Sequence, residues 1–151
     1  MGASLVLLLG SLSAQTAGLQ VRLQGIREQQ QRRAEDRLAS AGQQLLADLQ
    51  RSHPCLLALP LERWVDQGLA CAPAPTIAAL RAGQVLGSAY RLVGWRPELA
   101  PAELLLELAP AGGQPARQGA FAVQLTPAQP PVQPQPQITD VRLVGLRGVA
   151  P

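Results

Sequence analysis

Residues 19–49, LQVRLQGIREQQQRRAEDRLASAGQQLLADL, decide the fold of this chain because apolar or small side chains recur in them every three or four positions. Only Gln30 interrupts the repeat. This spacing places one apolar stripe along one face of an α-helix. The stripe consists of Leu19, Leu23, Ile26, Ala34, Leu38, Ala41, Leu45 and Leu49. Pro54 predicts that the helix ends near Ser52, because the residue before a proline is pushed out of helical geometry.

An uncharged run at 3–21 leads into this amphipathic pattern without an intervening proline. Residues 3–9 are almost wholly apolar, whereas small and polar residues dilute the run from Gly10 onward, so it is a weak match to the roughly 20 apolar residues of a spanning helix. We predict a hydrophobic membrane or filament-core segment at 1–21 and its amphipathic continuation at 22–52. One helix over 3–51 would be roughly 70 Å long, so lipid or other chains must cover part of it.

A cleaved signal peptide is an alternative interpretation of the same run, since Ser13, Ala14 and Ala17 supply small residues for a peptidase. A secreted binding module would follow from it. Two features oppose it: no basic residue precedes the apolar run, and the helical pattern continues past the cleavage point.

Composition and motifs exclude several classes of function. All 13 basic residues are Arg, and they are spread along the chain rather than clustered. Only 3% of the residues are aromatic, so despite the net charge of +3 neither a basic patch nor a stacking platform for nucleic acid is visible, and no nucleic-acid partner is expected. The sequence contains no nucleophile elbow, phosphate-binding loop or paired-carboxylate motif. We therefore expect neither an enzyme nor a cofactor.

Cys55 and Cys71 are the only cysteines, and they flank a segment that contains Trp64. In an extracytoplasmic protein such a pair predicts a disulfide, which would stabilise the fold by about 3 kcal/mol for a loop of roughly 15 residues. The pair is a poor metal site because it lacks the short spacing of zinc ligands and His53 is the only histidine. No metal is expected.

After Pro73 the sequence pattern changes from helical to one typical of β-strands. Residues 76–81 are ambiguous between a helical turn and a strand, 97–101 form a turn and 111–118 a flexible connection. The Pro-rich segment 127–136 cannot pair as a ladder strand and is predicted to be an extended linker or surface loop. Strands are predicted at 84–95 (one or two), 103–108, 121–125 and 138–146. The predicted fold is α+β: a long N-terminal helix packed on a small antiparallel sheet, with 53–151 as the disulfide-bearing, β-rich head.

This layout resembles the type IV pilin family, in particular its minor pilins and the minor pseudopilins of type II secretion. The resemblance is carried by Gly2 and the residues ASLVLLL at 3–9, by the long helix, and by the small disulfide-bearing sheet. In that family a prepilin peptidase cuts after a Gly that occupies the position of Gly2, so the resemblance implies a mature chain beginning at Ala3. Most pilins carry Glu where this chain has Leu7, and some minor and tip subunits lack that Glu, which implies a minor role.

The resemblance further implies a pilin-like fold and a single-pass protein of the bacterial inner membrane that joins a filament after assembly. The implied partners are other pilin or pseudopilin subunits, inner-membrane lipid and prepilin peptidase. The implied membrane or filament-core residues are Leu5, Leu7, Leu8, Leu9 and Leu12.

The charges that flank the apolar run predict on which side of the membrane the head lies. Four arginines follow the apolar run within residues 22–33, so the positive-inside rule alone would leave the head in the cytoplasm. The predicted disulfide favours a head outside the cytoplasm, which is the prediction adopted. A bitopic coiled-coil scaffold of the envelope, whose stripe pairs with a partner helix, is a further alternative.

Overall fold

The computed structural model describes residues 3–110, 112–113 and 115–148, with side chains within 18–147 of those ranges. The first element, α1, spans Ala3–Ser52. It ends where predicted: the His53 N–H still donates to the Leu49 carbonyl oxygen, at 2.9 Å between N and O, and Pro54 has no N–H with which to continue. The chain divides into two compact units, Met1–Ala34 and Glu35–Pro151.

The first unit is helical throughout its described residues. The stripe residues Leu19, Leu23 and Ile26 are 59%, 54% and 51% exposed, respectively. Within the described residues, no helix combines the length and the apolar content needed to cross a membrane. The transmembrane helix predicted within 1–21 is therefore not found, and the physical reason is the dilution of the leucine run by small and polar residues at 10–18.

The second unit contains a five-stranded antiparallel sheet whose strands follow each other in space as they do in the chain. The predicted α+β class, a long N-terminal helix with an antiparallel sheet, is confirmed. The strands are β1 (Ala82–Val85), β2 (Ser88–Arg96), β3 (Ala102–Leu108), β4 (Arg117–Thr126) and β5 (Gln137–Gly148). Each strand pairs with the next one along the chain, so the sheet needs no crossover connection.

The core of the second unit lies between one face of the sheet and the C-terminal part of α1. The predicted stripe residues Leu38, Ala41, Leu45 and Leu49 are at most 1% exposed. Alternate residues of β3, from Ala102 to Leu108, are buried on the same side, as the period of a strand requires.

Two glycines allow α1 and the sheet to approach closely. A Cβ atom on Gly42 of α1 would lie 2.8 Å from Cε1 of Phe121 on β4, and one on Gly119 of β4 would lie 3.0 Å from Cδ1 of Leu38. The end of α1 is also tied to the sheet edge, because the β5 N–H of Ile138 donates to Oε1 of Gln50 at 3.1 Å. These contacts set the depth at which the helix packs.

The structure decides two assignments that the sequence left open, those of residues 76–81 and 84–95. Residues 76–81 belong to a helix, α2, which spans Ala74–Arg81. The ambiguous stretch 84–95 forms two strands, since Leu86 and Gly87 both adopt positive φ angles (47° and 73°) and make the tight turn between β1 and β2. Gly94 marks a bulge at which the register of β2 on β3 shifts.

The Pro-rich segment 127–136 is a surface loop that turns back on itself. Gln129 and Gln133 exchange two backbone hydrogen bonds, with N to O distances of 2.6 and 2.8 Å. The segment connects β4 to β5 and is exposed over most of its length.

Candidate interaction surfaces

The predicted disulfide between Cys55 and Cys71 is present. The two Cα atoms are 6.1 Å apart, within the normal range for a disulfide, and the cysteines are separated by 16 positions. Between them the chain forms short 3₁₀ turns at Pro54–Ala58, Leu61–Arg63 and Gln67–Ala70. The bridge thus closes a segment that has little regular hydrogen bonding of its own.

Two tryptophans anchor this segment to the sheet. Trp64, inside the loop, is fully buried and its Nε1–H donates to the Leu59 carbonyl oxygen at 2.9 Å. Trp95 of β2 is also fully buried and donates through Nε1–H to the Leu57 carbonyl oxygen at 3.2 Å. Each ring therefore satisfies its polar atom while filling the core, the arrangement that a buried indole requires.

An apolar cleft of about 670 Å³ opens between the disulfide segment, the β2–β3 turn and the loop after β4. Arg63 and Glu98 are the ionisable side chains of its lining, and Leu99, which also lines it, is 43% exposed. Apart from Arg63, Glu98 and Gln124, the lining is apolar, which suits contact with an apolar surface. Its rim is rich in proline: Pro60, Pro97, Pro101, Pro127 and Pro136.

A smaller groove of about 210 Å³ lies between the disulfide segment and α2. Val65 and Leu69 are more than half exposed there, Ile77 forms its floor, and Arg81 stands at its side. Neither this groove nor the proline-rimmed cleft was predicted from the sequence. Both depend on chain segments that are distant in sequence, and only the run of prolines around the cleft offered a local signal.

The outward face of the sheet carries two cross-strand ion pairs. Arg91 of β2 lies opposite Glu107 of β3, with 2.7 Å between Nη2 and Oε1, and Arg96 pairs with Glu103 in the same way. Because the arginine side chains are 65% and 49% exposed, these pairs contribute little to stability and mainly keep this face polar.

One ionisable group in the core has a displaced pKa. Burial raises the pKa of Tyr90 above its ordinary value of 10.0, and the nearby Asp48 carboxylate adds to the rise by disfavouring a second negative charge. Tyr90 lies on β2 and Asp48 on α1, so the ring sits where the helix covers the sheet. Gly83 of β1 leaves room for it, since a Cβ atom there would lie 2.6 Å from the phenol oxygen.

The residues predicted for processing and assembly are placed as follows. Gly2 lies outside the described residues, and Ala3 is the first residue of α1. The predicted core residues Leu5, Leu7, Leu8, Leu9 and Leu12 all lie on α1, with side chains outside the described part. Among the members of the predicted stripe that lie in the first unit, Leu19, Leu23 and Ile26 are exposed.

Within the described residues, no group of three or more His, Cys, Asp or Glu side chains is arranged to hold a metal ion. The candidate surfaces are thus the exposed helix stripe, the proline-rimmed cleft and the groove beside α2. No protein-family profile, curated protein or solved structure matches the chain.

Proposed function

We propose that this chain is a non-enzymatic assembly subunit of the minor pilin or pseudopilin kind, which joins or primes a type IV pilus or a type II secretion filament. One observation carries the proposal. On a single helix, α1, the stripe residues from Leu38 to Leu49 are buried within the head, whereas Leu19, Leu23 and Ile26 are more than half exposed. An apolar helix face of this length favours burial against helices of other chains.

The leucine run at 5–12 is the second support for the proposal. In a filament core the residues would exchange one apolar surrounding for another, and a helix leaves lipid readily only where neighbouring helices replace the lipid contacts. Residence at the bacterial inner membrane before assembly, with the head outside the cytoplasm, is part of the proposal. The disulfide supports that orientation, because such bonds persist in oxidising compartments.

Leu7 supports a minor role in particular. A carboxylate at this position would need a cationic partner in a dry core, because an unpaired buried charge costs several kcal/mol. Leu7 is uncharged and therefore needs no cationic partner on a neighbouring subunit. The chain is therefore proposed to occupy few positions, at a tip or in a priming complex, and the partners are other subunits of the filament and a prepilin peptidase.

Replacing Leu8 with Arg tests the assembly role. We expect Leu8→Arg to abolish incorporation into filaments while the head remains folded, because the added charge would lie unpaired in an apolar core at a cost of several kcal/mol. Gln44→Arg is the matched control, since Gln44 is an exposed residue of the same helix. Immunoblotting of purified filaments, with circular dichroism of each variant, provides the measurement.

Normal incorporation of Leu8→Arg contradicts the proposed packing of the leucine run in a filament core, and a copy number equal to that of the principal subunit contradicts the proposed minor role. N-terminal sequencing of the mature chain separates the alternatives. A start at Ala3 supports the pilin-like proposal, a start near Gln15 supports secretion with a cleaved signal, and an intact Met1 supports the envelope scaffold.

A further inference from the structure

The first unit carries the whole net charge of the protein. Four arginines and one glutamate lie within residues 18–34, which gives a formal charge of +3, the value of the entire chain. The nine arginines and nine acidic residues of the second unit cancel. All four arginines are exposed: Arg22, Arg27, Arg32 and Arg33.

Three of the four arginines lie beside the apolar stripe, and Arg32 lies on the opposite face of the helix. With about 100° of rotation per residue, Leu19, Leu23 and Ile26 fall within one narrow sector of the helix. On the same wheel Arg22 and Arg33 lie along one edge of that sector, and Arg27 lies along the other edge. The single carboxylate, Glu28, lies on the opposite face.

A stripe bordered by arginines on both sides fits an anionic lipid surface. A guanidinium group at the border can extend to a lipid phosphate while its methylene stem and the neighbouring leucine stay in the apolar layer. Helices that lie in the interface are distinguished by such a polar face, by modest overall hydrophobicity and by binding that depends on anionic lipid. Such a helix binds without crossing the bilayer.

We propose that residues 19–33 form a lipid-binding surface that lies along an anionic membrane, with Leu19, Leu23 and Ile26 inserted below the headgroups and Arg22, Arg27 and Arg33 bound to lipid phosphates. A second copy of the same segment is a poorer occupant, because two helices of charge +3 repel each other. This surface differs from the leucine run at 5–12. It binds lipid before assembly, while helices of other subunits do not yet cover Leu19, Leu23 and Ile26, and it does so even if no filament forms.

Vesicle flotation with the full chain tests this surface. Binding is compared between vesicles of phosphatidylcholine alone and vesicles containing phosphatidylglycerol, at low and at high salt. The leucine run at 5–12 contributes equally to binding to both kinds of vesicle. The ratio of the two binding constants therefore isolates the contribution of the arginines. We expect tighter binding to the phosphatidylglycerol vesicles, with a preference that declines as salt increases.

Two variants and a control locate the surface. Replacing Arg22, Arg27 and Arg33 with Gln is expected to weaken partition onto phosphatidylglycerol vesicles by roughly a hundredfold and to leave binding to phosphatidylcholine unchanged. Leu23→Gln is expected to weaken binding to both compositions. The matched control replaces three exposed arginines of the second unit with Gln and should retain the preference: Arg81, Arg142 and Arg147.

Equal binding of the wild type to both vesicle compositions would overturn the proposal, and so would a triple Arg variant that keeps the preference. Sedimentation analysis without lipid tests whether a second copy of the chain covers the stripe. If Leu23→Gln converts an oligomer into a monomer, the stripe is covered by a second copy and the lipid assignment is wrong. A stable complex with an acidic protein that survives vesicle competition would also contradict it.

Discussion

Tyr90 shows how a single residue reports the packing of α1 on the sheet. Its ring is 8% exposed, and its neutral form is favoured by burial and by the Asp48 carboxylate. Because the pKa of the folded state lies above 10.0, the folded chain holds the phenol proton more tightly than the unfolded chain does. The stability contributed by this effect is fully present below the pKa of the unfolded state, and it is lost as the pH rises through the folded pKa.

We therefore predict that the free energy of unfolding falls as the pH rises above about 10 and that Tyr90 titrates later in the native protein than in urea. Tyr90 is the only tyrosine of the chain, so phenolate absorbance follows it without interference. Asp48→Asn should lower its pKa but leave it above the ordinary value, because burial is the larger cause. Identical titration curves in native protein and in urea would show that the ring is not enclosed.

At the scale of elements, the segment from Cys55 to Cys71 depends most on a covalent constraint. Its 3₁₀ turns supply few hydrogen bonds, but it presents a buried cluster to the sheet: Leu56, Leu57, Leu61 and Trp64. The bridge limits the freedom of this segment in the unfolded chain, which is the main way in which a disulfide stabilises a fold.

Replacing both Cys55 and Cys71 with Ala is predicted to lower the free energy of unfolding by about 3 kcal/mol, the value for a closed loop of about 15 residues. Urea denaturation followed by tryptophan fluorescence gives the measurement, because both tryptophans of the chain are buried in this region. A reductant should produce the same loss in the wild type and no loss in the double variant. Equal stability of wild type and double variant would mean that the segment is held by its apolar contacts alone.

A free sheet edge exposes unpaired backbone groups, and β5 lies at one edge of this sheet. Strand β5 is an edge strand of 12 residues, and its pairing with β4 contains two shifts of register. Bulges twist an edge strand, and the exposed charges Asp140, Arg142 and Arg147 further discourage pairing with another sheet. The β5 edge is therefore protected, whereas the helix stripe of the first unit is not.

At the scale of the whole molecule, the division into two units separates two tasks. The second unit has a closed core and no net charge, and the first unit has exposed apolar residues and all of the net charge. Folding stability should therefore reside in the second unit, and interaction with other molecules in the first.

A chain that lacks residues 1–34 is predicted to fold, because the buried stripe from Leu38 to Leu49 stays attached to its sheet. Circular dichroism and cooperative thermal unfolding provide the measurement. Leu45→Asp in the same shortened chain is the contrast, and it should fail to fold because an unpaired carboxylate would enter the core at a cost of several kcal/mol. Aggregation of the shortened chain with loss of β signal would count against the two-unit division.

Several features of this protein follow from the sequence alone, because they depend on local pattern. The period of three and four identified α1 and the face that it buries at Leu38 and Leu45, and Pro54 marked its end. Alternating residues located most strands, and the isolation of Cys55 and Cys71 indicated their pairing. Short-range geometry controls these features, so neighbouring residues carry enough information to predict them.

Other features were decided only by tertiary structure, because they arise where distant segments meet. Strand β4 begins at Arg117, before the predicted 121, since pairing with β3 and β5 extends it past its local signal. The proline-rimmed cleft and the raised pKa of Tyr90 likewise depend on residues far apart in the chain. The periodic pattern continues from Leu19 to Leu49, yet only contact with the sheet determines which part is covered. Local periodicity defines an apolar face, but burial requires a partner surface that the chain supplies to only one end of the stripe.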